Sequence, residues 1–166
     1  MEYFGLIKTR RSRRAFQPKP ITDAQISKIA ESANLAPSAG NLQDYIFYAV
    51  KNKEVKEKLA QAALGQSFIS DAPIAFVFFA KPSASSRKYG KRGGLYSIID
   101  ASIAAAYAQL AAENFGLGTV WVGAFNDEKV KEIFGEEGHP VCILPVGYPA
   151  EEPEKNPRTD RLKRIF

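Results

Sequence analysis

The chain has 166 residues, of which 45% are hydrophobic and 11% aromatic, a composition that suits one packed domain and excludes disorder and collagen-like repeats. The formal net charge is +5, from 23 Lys and Arg against 18 Asp and Glu, so anionic partners are favoured. With one cysteine and one histidine, an internal disulfide and a zinc-finger site are excluded.

The hydropathy pattern favours a protein without a membrane span. The longest strongly apolar stretch, Ile74 to Ala80, is far shorter than the roughly 20 residues that cross a bilayer. Glu2 and Lys8 leave no apolar signal-peptide region at the N-terminus. We therefore expect a cytoplasmic protein that does not associate with a membrane.

A capped helix is predicted near the N-terminus. Thr22 and Gln25 have the spacing of a capping box, and the apolar residues that follow repeat at helical intervals until Pro37. Residues 37–43 are therefore predicted to form a loop. The apolar run Tyr3 to Ile7 indicates a shorter helix before the capped one.

Strands and helices alternate after this loop. Tyr45 to Val50 and Ile74 to Ala80 predict buried strands, and Asn52 is placed to cap a helix between them. The alanine-rich run Leu95 to Phe115 predicts the longest helix, which Gly116 closes.

The last third of the chain predicts two more strands and an arm. Thr119 to Phe125 is interpreted as a central strand and Val141 to Val146 as a further one, with a helix capped by Asn126 between them. The remainder is charged and broken by proline, so we expect a single domain over residues 1–166 with residues 150–166 as a C-terminal arm. The alternation of helices and strands predicts an α/β or α+β architecture.

The first candidate site is an arginine-rich segment near the N-terminus. Its residues are Arg10, Arg11, Ser12, Arg13 and Arg14. Guanidinium groups bind phosphate oxygens bidentately and a serine adds one more donor, so the pattern indicates phosphate binding. The same residues also fit a solvated basic turn or a nucleic-acid-binding arm.

The second candidate site is the loop after the capped helix. Ser38, Ala39 and Gly40 are small enough for a flat ligand to approach the backbone, while Asn41 and Gln43 each offer a donor and an acceptor. This combination suits the pyrimidine edge of a flavin. An ordinary turn with local hydrogen bonds is the alternative.

The third candidate site is a glycine within the strand predicted after the longest helix. Gly123 lies between Val122 and Ala124, and a glycine inside an apolar strand often marks a close approach by another group. The order of strand, turn and helix that a dinucleotide fingerprint requires is absent, so we reject that interpretation. Asp100, within the longest helix, fits either a buried paired carboxylate or a solvated face.

Taken in order, these motifs resemble the nitroreductase family of flavin mononucleotide (FMN) enzymes. The segments that carry the resemblance are Arg10 to Arg14, Pro37 to Gln43, Gly116 to Phe125 and Pro145 to Pro149. The resemblance covers nearly the whole chain and is strongest to the short, single-domain members. It implies an α+β fold with a mixed central sheet flanked by helices, built as an intertwined homodimer with FMN at the subunit interface.

The resemblance also implies which residues bind the cofactor. The phosphate would be held by Arg10, Arg11, Ser12 and Arg14, joined from the arm by Arg158 or Arg161. The ring or ribityl chain would be contacted by Ser38, Ala39, Asn41, Gln43, Gly123 and Ala124. Asp44 departs from the family pattern and would place a negative charge at the rim of the pocket.

The activity that this resemblance implies needs no catalytic side chain, because FMN itself carries the redox chemistry. NADH or NADPH would be the electron donor, and a nitroaromatic, quinone or similar small molecule the acceptor, in a ping-pong reaction. The alternatives within the same fold are a reductive dehalogenase and a flavin-fragmenting enzyme. A basic nucleic-acid-binding module is the alternative from another class.

Overall fold

The central element is a four-stranded sheet, and the computed structural model describes it within residues 2–163 of the chain. The helices are α1 (Tyr3–Thr9), α2 (Asp23–Asn34), α3 (Lys53–Ala62), α4 (Phe68–Asp71), α5 (Ser83–Tyr89), α6 (Gly93–Asn114) and α7 (Asp127–Phe134). The strands are β1 (Tyr45–Val50), β2 (Ile74–Ala80), β3 (Gly118–Thr119) and β4 (His139–Gly147). Short 3-10 turns occupy Ala39–Asn41 and Gly90–Arg92.

The strand order is β1-β2-β4-β3, and every pair of neighbouring strands is antiparallel. The α+β class is thereby confirmed, whereas the sheet differs from the mixed sheet that was expected. Among the described residues, parallel pairing is confined to an isolated bridge between Ser12 and Thr119. One isolated bridge is too short to count as a parallel strand.

Strand β2 lies inside the sheet and is buried along its whole length. Its side chains alternate between two faces, as the period of two for a strand requires. Ile74, Phe76 and Phe78 pack with α2 and α6 on one face. Ala75, Val77 and Phe79 pack with α3, α4 and α7 on the other. The chain therefore forms three layers, helices on both faces of one sheet.

Strand β4 contributes the single cysteine of the chain to this core. Cys142 lies opposite Phe78 in the ladder between β2 and β4, and it is completely buried as a free thiol. Burial raises the pKa of this thiol, since the charged form would lose its hydration. Cys142 therefore packs in the core, and its raised pKa disfavours the thiolate form that a nucleophile requires.

The helix starts predicted from the sequence are confirmed. The Thr22 side chain accepts from the Gln25 amide at 3.2 Å, and the Gln25 side chain accepts from the Thr22 amide at 3.1 Å. Asn52 caps α3 and Asn126 caps α7, each at 3.0 Å. At the end of α6, Gly116 has φ of 69°, the left-handed conformation that glycine adopts without strain.

The prediction of a central strand over Thr119 to Phe125 is wrong. Regular pairing stops after Thr119, and the next contact with β4 is the isolated bridge between Val122 and Ile143. The segment lies at the edge of the sheet, beyond β4. Among the described residues, β4 is the only strand that pairs with this segment, apart from the isolated bridge between Ser12 and Thr119. Gly123 and Ala124 are exposed.

Helix α6 carries more apolar surface than the described part of the chain covers. The stretch Ser83–Asn114 is long and apolar enough to cross a membrane by length and composition, with a mean hydropathy of 1.2 in its most apolar window. Core helices of soluble proteins meet the same criterion, and α6 packs on α2, β2 and β4. Only 39% of that window is buried, however, and Leu95, Ile99 and Tyr107 remain exposed. An apolar face of α6 is thus left uncovered by residues 2–163.

Candidate functional site

A basic cavity lies where the C-terminus of α1 meets the arm. Its volume is about 400 Å³, which falls within the usual range for small-molecule sites. The cavity is lined by Ile7, Lys8, Arg10, Arg11, Ser12, Arg14, Pro153, Glu154, Lys155, Asn156 and Arg158. The two walls of the site therefore come from segments that are far apart in the sequence. One wall contains Arg14 and the other Arg158.

The cavity concentrates positive charge. Six of its lining side chains are Lys or Arg, and among the described residues that line it only Glu154 is acidic. Burial, and next the proximity of Arg158, lower the pKa of Arg10. Two guanidinium groups that repel each other across a cavity are stabilised when an anion lies between them. The hydroxyl of Ser12 completes a donor set suited to a phosphate group.

Arg11 has a structural task as well as a place in the cavity wall. Its Nη1 donates to the backbone carbonyls of Lys8, Thr9 and Arg10 at 2.7, 3.1 and 3.0 Å. These are the terminal carbonyls of α1, which lack partners within the helix. A basic side chain also interacts favourably with this end of a helix. Arg11 therefore caps α1 with one of its nitrogens.

Arg13 faces the protein interior instead of the cavity. Its Nη1 forms a buried ion pair with Glu113 of α6 at 2.8 Å, and its Nη2 contacts both carboxylate oxygens of Glu152 at 3.1 Å. The Arg13 amide donates to the Thr119 carbonyl at 2.9 Å. Successive side chains of the arginine segment thus point in alternate directions. Arg13 points into the protein interior, while its neighbours Ser12 and Arg14 line the cavity.

The loop over residues 38–43 is held in an unusual backbone conformation. Gly40, Asn41 and Gln43 all have positive φ, between 51° and 58°. Inside the loop, the Ser38 hydroxyl accepts from the Gln43 amide at 3.0 Å, and the Gln43 side chain donates to the Asn41 carbonyl at 3.0 Å. Positive φ at residues other than glycine persists only where the surroundings impose it.

Asp100 of α6 holds this loop through a hydrogen bond from the loop backbone. It is 2% exposed, and its Oδ1 accepts from the Ala39 amide at 3.0 Å. Its Oδ2 is buried and has no hydrogen-bond partner in the described part of the chain. Burial raises the pKa of Asp100, the Ala39 hydrogen bond lowers it and nearby Asp44 raises it. The solvated face is therefore excluded, and the buried interpretation holds without the ion pair that it included, among the described residues.

Asp44 is also buried, which corrects the expectation of a negative charge at the rim of a pocket. Its Oδ2 accepts from both the amide and the hydroxyl of Ser85 at 2.7 Å. Its carbonyl accepts from the Ser97 hydroxyl and, at 2.9 Å, from the Lys81 amide. Asp44 therefore fixes the start of α5 against the start of β1.

The third group of predicted residues lies at the exposed edge beyond β3. The carbonyl of Ala124 accepts from the Gln66 side chain at 3.3 Å. A Cβ added to Gly123 would meet nothing closer than the Trp121 Nε1 atom, at 3.6 Å. The protein itself therefore does not require glycine at position 123, which leaves the approach of a ligand as a reason for it.

The predicted residues fall into separate groups within one chain. Arg10, Arg11, Ser12, Arg14 and Arg158 line the basic cavity. The residues Ser38, Ala39, Asn41, Gln43, Gly123 and Ala124 are absent from its lining, and Arg161 is exposed on the arm outside it.

Helix α6 gives the distance that separates two of these groups. Asp100 holds the 38–43 loop and Glu113 holds Arg13. Thirteen residues of helix separate the two carboxylates in sequence, which corresponds to about 20 Å along the axis.

Some lining residues were not predicted from the sequence. Glu154, Lys155 and Asn156 join the cavity through the return of the arm, and Lys8 joins it from the last turn of α1. The clustering of charge after Pro149 was the available signal, but a coil carries no period from which to predict which side chains turn inward.

Comparison with known proteins identifies the family. The family model described as "Nitroreductase family" matches residues 7–73 and 61–148. An "FMN reductase [NAD(P)H]" of Bacillus subtilis is 33% identical over 164 residues, covering 89% of this chain and 66% of the relative. The chain belongs to the nitroreductase family.

Solved structures agree with the sequence comparison. An FMN-dependent nitroreductase from Clostridium difficile R20291 superposes with a TM-score of 0.79 at 31% identity, covering 95% of this chain and 92% of that chain. The NADPH:FMN oxidoreductase from Vibrio harveyi, solved with NAD+, gives a TM-score of 0.85 at 27% identity, covering 98% and 78%. The α+β fold of this chain is thus shared with an FMN-dependent nitroreductase and an NADPH:FMN oxidoreductase.

Proposed function

We propose that this protein is an FMN-dependent NAD(P)H oxidoreductase. The observation that carries the proposal is the basic cavity, in which Arg10, Arg14 and Arg158 surround a space of about 400 Å³ beside Ser12. FMN carries a phosphate monoester with a charge of about −1.5 to −2 at neutral pH, which matches this donor set. Relatives named as FMN reductases support the same cofactor.

The phosphate contributes a large part of the expected affinity. Hydrogen bonds to charged groups stabilise by about 1.5–3 kcal/mol each, and micromolar binding corresponds to about 8 kcal/mol. Two or three such bonds from Arg10, Arg14 and Arg158 therefore account for much of a micromolar dissociation constant. This estimate also explains why the arginine clusters need no nucleic acid.

The flavin ring is assigned to the other groups of residues. Asn41 and Gln43 offer amide donors and acceptors for its polar edge, and Ser38 and Ala39 belong to the same rigid loop. Gly123 and Ala124 leave open backbone for a flat ring. Bound FMN would supply two-electron transfer between NADH or NADPH and the acceptor, while the residues of the chain bind and orient it.

We further propose that two copies of the chain form the complete site as an intertwined homodimer. The loop and the basic cavity lie near different ends of α6, so one chain leaves them in separate places. The exposed apolar residues of α6, together with Tyr3, Phe4 and Ile7 of α1, supply a face that association would bury. Each site would then combine groups from both subunits.

The class of electron acceptor that we propose follows from the solvent exposure of the residues assigned to the flavin ring. Gly123 and Ala124 are exposed, and a flat nitroaromatic or quinone is able to stack beside an exposed ring. We propose that the oxidised nicotinamide leaves before such an acceptor binds at the same place. This order gives ping-pong kinetics.

The test begins with the absorption spectrum of the purified protein, followed by release and identification of the chromophore. Stoichiometric FMN supports the proposal, and a colourless protein that fails to bind added FMN refutes it. Anaerobic stopped-flow mixing with NADH or NADPH should then bleach the flavin absorbance. Parallel double-reciprocal plots with a quinone are expected for the ping-pong order, and intersecting lines would contradict it.

A further inference from the structure

The arm is attached to the N-terminal segment by a short antiparallel pairing. The Gln17 amide donates to the Tyr148 carbonyl at 2.8 Å, and the Ala150 amide donates to the Ala15 carbonyl at 2.9 Å. Between them, Phe16 and Pro149 form an isolated antiparallel bridge. This pairing carries the chain from the end of β4 towards the arginine segment.

Two consecutive glutamates extend the attachment beyond this pairing. One carboxylate oxygen of Glu151 accepts from the backbone amides of Arg14, at 2.5 Å, and Ala15, at 3.1 Å. The carboxylate of Glu152 accepts from Arg13 Nη2 with both oxygens at 3.1 Å. The next residue, Pro153, is the first residue of the arm that lines the cavity. The glutamates thus hold the arm immediately before it becomes the cavity wall.

Arg13 anchors this attachment to the core. Its side chain is 8% exposed, and its other ion pair is with Glu113, whose side chain is 6% exposed. Glu113 lies on α6, the longest helix of the core. The chain of contacts from α6 through Glu113, Arg13 and Glu152 therefore links a rigid element to a segment without regular structure.

The charges of the neighbouring acids make this arrangement testable. Glu152 is 71% exposed in its side chain and does not line the cavity, whereas Glu154 does. An acid in a cavity of cations opposes an incoming anion. If charge alone mattered, neutralising either glutamate would favour anion binding. If Glu152 holds the cavity wall, neutralising it removes the ion pair with Arg13 and weakens anion binding.

We propose that Glu151 and Glu152 are positioning residues that fix the arm against the arginine segment, so that Arg158 and Lys155 face Arg10 and Arg14 across the phosphate site. This inference rests on the proposed function only in taking FMN as the ligand. It assigns to two acidic residues a role in binding an anion that they do not touch. Pre-ordering one wall of a site raises affinity because less ordering remains for the binding step.

The experiment compares Glu152→Gln with Glu154→Gln, which change the net charge of the full chain by the same amount. FMN affinity is measured on flavin-depleted protein by flavin fluorescence. We expect Glu152→Gln to bind FMN about fivefold more weakly, the factor that corresponds to the ~1 kcal/mol upper range of an exposed ion pair. We expect the FMN affinity of Glu154→Gln to be at least about twofold higher than that of the unmodified protein.

A second measurement follows the arm without using flavin. Trypsin cleaves after Lys155 and Arg158, both of which are exposed. Cleavage there should be several times faster in Glu152→Gln than in the unmodified protein or in Glu154→Gln, because local release of the arm controls access. Inorganic phosphate should slow cleavage in all three proteins. The melting temperature of Glu152→Gln should stay near that of the unmodified protein, since Arg13 keeps its pair with Glu113.

The outcomes separate this inference from the proposed function. If both variants bind FMN more tightly and trypsin cleaves them at the same rate, the ion pair of Glu152 does not position the arm and the inference is overturned. If the unmodified protein fails to bind FMN, the proposed function fails, and the cleavage rates with and without phosphate still decide whether Glu152 holds the arm.

Discussion

Neighbouring residues of the arginine segment have divided tasks, and the division follows from where each side chain finds a partner. Arg13 is neutralised by Glu113 and Glu152, and Arg11 caps α1. Arg10 has lost part of its hydration and faces Arg158. The positive charge that a phosphate would meet therefore comes chiefly from Arg10, Arg14 and Arg158.

Substituting Arg10 tests this division. Arg10→Ala should weaken FMN binding about tenfold to a hundredfold, the range for losing one hydrogen bond to a charged group at about 1.5–3 kcal/mol. Arg161→Ala removes the same charge from the exposed arm outside the cavity and should change affinity little. Equal losses in the two variants would show that only overall charge matters. Titration of flavin-depleted protein with FMN provides the comparison.

Asp100 offers a pH-dependent test at the same scale. Because its pKa is raised above the ordinary 3.8 in the folded protein, the folded state holds a proton more tightly than the unfolded state. Its contribution to stability is therefore present at low pH and is lost as the pH rises through the raised pKa. Asp44 and Tyr45 are the titratable neighbours whose charges interact with it.

Asp100→Asn cannot ionise, and its Oδ1 is still able to accept from the Ala39 amide. The melting temperature of this variant relative to the unmodified protein should rise as the pH increases above about 4, the ordinary range of aspartate. Thermal unfolding across acidic to neutral pH measures the difference. Parallel curves for the two proteins would contradict an elevated pKa at Asp100.

At the scale of elements, a substitution of Gly123 tests whether the edge segment after β3 belongs to the FMN site. Gly123→Val adds a branched side chain where the chain itself has space, so the melting temperature should change little and FMN binding should fall at least about tenfold, or 1.4 kcal/mol. In Gly118→Ala, the added Cβ would lie 2.8 Å from Arg13 Cδ, so stability should fall by about 1–3 kcal/mol through overpacking.

These two glycine variants should therefore respond in opposite ways. Thermal unfolding and FMN titration of both proteins make the comparison. A Gly123→Val protein with full flavin affinity would remove this segment from the site. A Gly118→Ala protein with unchanged stability would show that Arg13 adjusts without difficulty.

Local signals predicted the elements well, while long-range contacts were beyond their reach. The cap residues Thr22, Asn52 and Asn126 act within three residues of themselves, so each helix start could be predicted from the sequence alone. The strand over Thr119 to Phe125 was wrong because apolar composition does not reveal whether a neighbouring strand continues. The mixed sheet was implied by the family resemblance, and the antiparallel pairing that is observed depends on partners distant in sequence.

The candidate site shows the same limit. Arg10, Arg14 and Arg158 were identified through the family resemblance, and the structure brings them together. The partners of Arg13 and Asp100 could not be predicted, because Glu113, Glu152 and Ala39 reach them through tertiary contacts. Whether a charged side chain is buried depends on the group that pairs with it in the folded chain, and the sequence alone does not show which group that is.

At the scale of the whole molecule, the uncovered apolar face predicts self-association. Ile99 is 43% exposed on α6, and a charge placed there would oppose burial against a second copy. Ile99→Glu should shift the protein from dimer towards monomer by sedimentation velocity, with at least about a tenfold weaker dimer, or 1.4 kcal/mol. Lys129→Glu introduces the same side chain on the exposed surface of α7 as a control.

Flavin content should be measured on the same samples. If the site is shared between copies, monomers of Ile99→Glu should retain FMN poorly even though the basic cavity of each chain is intact. A monomeric variant that retains FMN fully would place the whole site within one chain. An unmodified protein that sediments as a monomer would contradict the dimer itself.

The lone thiol at Cys142 makes the opening of the core directly observable. Because this sulfur is buried between the sheet and the helices α2 and α6, a thiol-reactive dye can reach it only when that layer opens. The labelling rate in native buffer would therefore report how often the centre of the molecule opens. A dye rate that falls when FMN is added would measure, without any enzyme assay, how strongly cofactor binding secures the interior.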